Sequence, residues 1–228
     1  MAKKLTLSDE KLKKEILYFH DGIAHDKRYA SYDFCYLYFQ THRGHLSDNM
    51  EDSCMHLWSY LASWGMLRGS SALQQRSPAV LIPLIKHFDA VDSIIWTMDV
   101  PDYPKHGVRL LKENNEIATI LTDILSDKKD ITPSVTLVTK IMLGVYGNIP
   151  AFDRFFKETF HDLYGGFGVC GQKELNHIYE FYLRYESLLD NLAKEMYVID
   201  FKGESTSVTY KKAKLIDMFG FTKSAPKK

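Results

Sequence analysis

The sequence predicts an all-α fold, a compact multi-helix globular protein with room for two helical lobes around a cleft. Three observations carry this. Apolar residues recur at helical spacing along most of the chain, as in Leu12, Ile16 and Phe19 or Leu111, Ile117, Ile120, Leu121 and Ile124. Helix-start signals precede such stretches at Ser8, Ser77-Pro78 and Thr132-Pro133. The strongest mid-chain breaker, Asp99 to Pro104 (DVPDYP), separates helical segments and marks a candidate lobe boundary near residues 99–107. At 228 residues, the chain is long enough for one large domain or two small lobes.

In chain order, Ser8 to Phe19 reads as the first helix, with Ser8 as N-cap and Asp9 and Glu10 at the positive helix end. Tyr29 to Gln40 is dense in aromatics of both parities, which favours a buried helix over a strand. Met50 to Arg68 is apolar nearly all round and reads as a central buried helix. Ser77-Pro78 restarts a helix that Pro83 should kink. Residues 108–125 return to helical spacing, and Thr132-Pro133 opens the next helix. Beyond Asp153 a short aromatic helix reaches Leu163. Tyr164-Gly-Gly-Phe-Gly168 reads as a loop, Gln172 to Met196 as one long amphipathic helix, and Tyr210 to Phe219 as the last helix. The end of the chain, 223–228, reads as a disordered tail.

Composition narrows the function classes. Lys+Arg and Asp+Glu number 29 each, so the formal net charge is zero and no global basic excess points to nucleic acid, although a local basic face remains open. Cys35, Cys54 and Cys170 are odd in number and lack a CxxC pair, which favours reduced thiols over disulfides or zinc. The charged N-terminus has no apolar signal core, and no run reaches the ~18 apolar residues of a membrane helix. A cytoplasmic protein with no membrane partner is expected, and nothing calls for a metal or organic cofactor.

One stretch looks like chemistry: Thr132 to Phe160. Lys140 lies among Val138, Ile141, Met142, Leu143 and Val145 on an apolar helix. Such a lysine either snorkels to the surface or is desolvated with a lowered pKa, and the neutral amine is the form that attacks carbon. Gly147-Asn-Ile-Pro150 breaks the helix, and Asp153 opens the next segment, so a helix–turn–helix could bring Asp153 beside Lys140. The plainer reading is an aspartate that caps its own helix.

At these residues, Thr139-Lys140-Ile-Met-Leu followed by Ile149-Pro150-Ala-Phe-Asp153, the chain resembles the helix-hairpin-helix DNA glycosylase superfamily, particularly its bacterial eight-oxoguanine-glycosylase-like branch. The stretch Ala213 to Phe219 is similar to the final helix of that branch, so the likeness covers about the C-terminal third. The resemblance implies a DNA-binding repair hydrolase. Lys140 would attack the sugar C1′ of a damaged or modified nucleotide and form a Schiff base, while Asp153 stabilises charge at the sugar. An extruded base needs a pocket of aromatic and polar groups, which the Trp58–Trp64 helix could supply. Two departures bear on DNA anchoring: Pro133 to Thr139 contains no glycine where the family has a Gly-rich turn, and the Lys–Asp spacing is shorter.

Other residues suggest alternatives. Arg68 with Gly69-Ser70-Ser71 offers a cation, amides and hydroxyls of the kind that bind phosphate; helix termination explains the same residues. With Trp64 on the same helix, these form the candidate substrate-binding set: Trp64, Arg68, Ser70 and Ser71. Arg154 and His161 resemble the Arg…His motif of HEPN-type helical ribonucleases, which act across a dimer interface, so that reading carries a homodimer with it. His42, Arg43 and His45 lack a closing pair for zinc. A third possibility is a helical interaction protein without chemistry.

Overall fold

Ser8 starts the fold by accepting the Lys11 amide at 3.3 Å, which caps the first helix, α1 (Asp9–Asp21). The computed structural model describes residues 7–69, 71–126 and 132–225. Ten further helices follow: α2 (Ala30–Thr41), α3 (Met50–Ser63), α4 (Ile82–Ala90), α5 (Ser93–Thr97), α6 (Tyr103–Leu125), α7 (Val135–Tyr146), α8 (Arg154–Tyr164), α9 (Gln172–Arg184), α10 (Glu186–Glu195) and α11 (Lys212–Ser224). One antiparallel hairpin, β1 (Tyr197–Ile199) with β2 (Ser205–Thr209), lies between α10 and α11. The fold is all-α, and among the described residues no helix is long and apolar enough to cross a membrane.

Two helices are buried on every side. In α7 each residue from Leu137 to Tyr146 is buried, and in α11 each residue from Ala213 to Thr222. α7 packs against α2, α3 and α6, whereas α11 packs against α1, α8 and α10. A helix without a solvent face has nowhere to place a lysine cheaply. Each of these two carries one buried lysine all the same, Lys140 at 3% exposure and Lys214 at 1%.

Close backbone approach explains two glycines of α7. A Cβ at Gly144 would lie 2.6 Å from Cε1 of the buried Tyr60 ring. Gly147 ends the helix with φ of 64°, the left-handed C-cap conformation that costs glycine least, and its amide bonds back to the Met142 and Leu143 carbonyls.

Several expectations need correction. At the candidate boundary near residues 99–107, Asp99 and Asp102 form a capping box, and α6 runs on from Tyr103 without interruption. The Asp99 carboxylate also accepts the Lys212 and Ala213 amides, while the buried Tyr103 hydroxyl donates to the Asn148 carbonyl at 2.8 Å. One continuous hydrophobic core runs from Leu7 to Phe221 across that segment. Pro83 does not kink a helix, because it occupies the first turn of α4, where its missing N–H costs nothing. The long C-terminal amphipathic helix is two helices broken at Tyr185, whose ring packs on Phe181 and whose hydroxyl reaches the Leu7 carbonyl. The expected tail overlaps α11: Lys223 and Ser224 are helical, and Ser224 Oγ lies 2.8 Å from Thr159 Oγ1. Residues 226–228 lie outside the described residues.

Candidate active site

Local sequence dictates how the Lys140 helix meets Asp153. Ser134, rather than Thr132, caps α7 by accepting the Leu137 amide at 3.1 Å. Lys140 stands six residues into a helix whose other positions are filled by core side chains. After Gly147 the chain cannot return to solvent, for every residue from Ile141 to Phe152 is buried. Buried backbone groups must find partners, and this strap finds them. The Asn148 carbonyl accepts the Tyr103 hydroxyl at 2.8 Å, the Ala151 amide donates to Asp217 Oδ1 at 3.0 Å and the Phe152 amide to Thr139 Oγ1 at 2.9 Å, while the Asn148 side chain donates through Nδ2 to the Ile95 carbonyl at 3.0 Å. Thr136 Oγ1 closes the strap by donating to the Phe152 carbonyl at 2.8 Å.

The strap delivers Asp153 to the start of α8 with its two oxygens divided between two tasks. Oδ1 accepts the Phe156 amide at 3.0 Å and caps the helix, while Oδ2 faces Lys140 Nζ at 3.4 Å. The capping reading and the pairing reading of Asp153 therefore hold together. Lys140 does not snorkel; its side chain is 4% exposed, against 15% for Asp153.

Trp64 completes the site. It is the C-cap of α3, and its ring lies 4.7 Å from Lys140 Nζ. Tyr29 stacks on it at 5.4 Å and 17°, Phe221 meets it edge-on at 5.7 Å, and Arg28 lies 5.9 Å from its centroid. Its indole Nε1 is buried with no hydrogen-bond partner among the described residues.

Lys140, Asp153 and Trp64 line one cavity of about 390 Å³, together with Arg28, Arg68 and Arg154. Asp153 is the one carboxylate among its lining residues, so four cations surround a single anion in a chain of zero formal net charge. Burial is the largest influence on Lys140 and pulls its amine below the ordinary lysine value; Asp153 and Asp217 oppose this, and Lys214 adds to it. Desolvation favours the neutral amine because the charged form loses hydration on burial. A second, more apolar cavity of about 540 Å³ adjoins the first, with Arg28, Phe155 and Phe221 common to both.

The remaining candidates fall differently. Arg68 borders the Lys140 cavity and also a neighbouring one that contains Ser71. Ser71 itself is occupied: its hydroxyl caps the short turn Ala72–Gln75 by accepting the Leu73 amide, and donates to the Met66 carbonyl. Ser70 lies outside the described residues. Arg154 pairs with Glu158 at 3.0 Å on the exposed face of α8, whereas His161 Nδ1 accepts the Gly166 amide two turns away. The two do not meet within the chain. Phe167 anchors the glycine loop in the core against Phe152, Phe156 and Phe160. His45 pairs with Asp48 at 3.0 Å on the surface, and no group of three or more His, Cys, Asp and Glu among the described residues is arranged to hold a metal.

Sequence reasoning missed Arg28, Phe155 and Phe221 in the cleft, and it assigned no role to Lys214 and Asp217. No protein-family profile, curated protein or solved structure matches the chain.

Proposed function

We propose that the protein is a DNA glycosylase-like enzyme that acts on a damaged or modified base, with Lys140 as the nucleophile and Asp153 as its acidic partner. The observation that carries this reading is a desolvated lysine whose amine faces a carboxylate 3.4 Å away inside a cationic, aromatic cavity. An amine nucleophile must be neutral to attack, and burial shifts Lys140 toward that form by lowering its pKa.

The chemistry follows from these positions. Lys140 gives its proton to Asp153 and the free Nζ attacks the sugar C1′. The C1′–N glycosidic bond breaks, and its electron pair leaves with the base, which takes up a proton. The second Nζ proton passes to O4′ as the C1′–O4′ bond opens and the Nζ lone pair forms the C=N bond, which leaves a protonated imine that water hydrolyses or a β-elimination of the 3′ phosphate consumes. Asp153, ionised again, stabilises the positive charge that grows at the sugar. Arg28, Arg68 and Arg154 suit the flanking phosphates, because guanidinium pairs well with phosphate oxygens. The stacked Tyr29 and Trp64 rings beside the cavity suit a planar base.

The test is release of free base from DNA carrying oxidised, alkylated or deaminated bases, in duplex and single-stranded form. Release by wild type and none by Lys140→Gln supports the reading. Release by the variant at the wild-type rate would exclude Lys140 as nucleophile.

A further inference from the structure

A second lysine is buried next to the first. Lys214 Nζ lies 2.8 Å from Asp217 Oδ2 at i,i+3 on α11. Its ammonium faces aromatic rings: Tyr32 at 4.2 Å, Phe19 at 5.0 Å and Trp64 at 5.5 Å. Trp64 is thus shared by Lys140 and Lys214. The other oxygen of Asp217 accepts the Ala151 amide at 3.0 Å, two residues before Asp153. An ion pair with both members this far from water contributes little net stability, since desolvation offsets the attraction. Helix stability alone therefore does not explain why α11 carries it.

We propose that the buried Lys214–Asp217 pair is a positioning element for Lys140: its carboxylate holds the strap that presents Asp153, and its ammonium sets the local charge through the indole both lysines share. This inference rests on reading Lys140 as the reactive amine. The pair works on the amine in two opposed ways. Asp217 draws protons onto Lys140 and Lys214 repels them, so Lys214 keeps the strap's carboxylate from over-stabilising the Lys140 ammonium. The other charged or titratable groups around Lys140 are Asp153 and Arg154 at the start of α8, Tyr60 on α3, Arg68 beyond it, and Arg28 ahead of α2. Asp153 pairs with Lys140 directly, whereas Asp217 holds the strap from behind through the Ala151 amide.

The test reads the amine itself, without DNA. Wild type, Lys214→Met, Lys214→Arg and Asp217→Asn are treated with formaldehyde and cyanoborohydride, and the methylation rate at Lys140 is followed by peptide mass mapping. Rates are taken from about pH 6 to about pH 10, where a shift of one pKa unit changes the neutral-amine fraction about tenfold. Asparagine keeps an oxygen for the Ala151 amide, so Asp217→Asn removes charge with little loss of shape. The expected result is opposite signs. Asp217→Asn speeds Lys140 methylation at neutral pH, Lys214→Met slows it because the freed carboxylate faces Lys140 unopposed, and Lys214→Arg restores it. Equal rates in all four proteins, or the same sign for both charge-removing variants, overturn the proposal. If Lys214→Met does not fold, Asp217→Asn decides alone: an unchanged or slower rate overturns it. A normal methylation pattern with no base release would count against the glycosylase reading and leave the positioning pair intact.

Discussion

Asp153 serves Lys140 and its own helix at once, one carboxylate oxygen 3.4 Å from the amine and the other 3.0 Å from the Phe156 amide. The two tasks respond differently to substitution. Asparagine caps helices about as well as aspartate, whereas alanine in place of a cap costs ~1 kcal/mol. Asp153→Asn should therefore keep nearly all of the stability seen in denaturant unfolding, and Asp153→Ala should lose about that amount or more. Both remove the charge that holds the Lys140 ammonium, so the amine pKa falls further in each. Methylation of Lys140 at neutral pH should rise in Asp153→Asn even as base release falls.

The Gly144 position should not tolerate a methyl group. Alanine would favour the helix by ~1 kcal/mol, but its Cβ would sit 2.6 Å from the Tyr60 ring, itself 1% exposed. Overpacking of a filled core costs about 1–3 kcal/mol, which outweighs the propensity gain. Gly144→Ala is expected to lower the unfolding midpoint. A midpoint equal to or above wild type would mean that α3 and α7 are less tightly packed than the structure has them.

One buried and one half-buried group give stability a pH dependence of known sign. Burial raises the Asp33 carboxyl from 3.8 to about 6, even though Tyr210 and Ile199 donate to it. A raised folded pKa means that the folded state holds the proton longer. The stability Asp33 contributes is complete below about 4 and is lost as pH rises through about 6, on the order of 3 kcal/mol. His87 is also raised, first by its 2.9 Å hydrogen bond with Glu113, so its contribution is complete below 6.5 and is lost as pH climbs through the folded value. Denaturant unfolding across pH should show wild type losing ground to Asp33→Asn between about 4 and about 6, and its advantage over His87→Gln shrinking as pH rises above 6.5. A wild-type-minus-Asp33→Asn difference that is flat with pH would contradict the assignment.

Part of this arrangement is legible in the sequence, and for physical reasons. Lys140 stood out because a cation in a run of core residues has few explanations, and Asp153 because a glycine and proline break precedes it. The end of α7 and the start of α8 follow from Gly147 and Asp153, whereas the cap of α7 is Ser134 and not the expected Thr132. Lys214 and Asp217 were hidden by their own spacing: an i,i+3 Lys–Asp pair on a helix ordinarily means a solvated face, and nothing local announces that α11 is covered on all sides. The hairpin was invisible because β1 is three residues long and pairs irregularly with β2. Asp99 to Pro104 forms a capping box that starts α6, and proline with aspartate marks such a start as readily as a break in the chain. Arg28 and Phe221 reach the cleft from opposite ends of the chain, a meeting that only tertiary structure brings about.

The central claim is that Lys140 forms an imine with a sugar carbon, and borohydride trapping on DNA containing an abasic site tests it without knowledge of the preferred base. The aldehyde of the open abasic sugar accepts the amine directly, and reduction fixes the linkage. The account predicts a covalent protein–DNA adduct with wild type, mapped by peptide mass to Lys140, and none with a folded Lys140→Gln variant. An adduct that persists in the variant, or its absence in wild type, would contradict it.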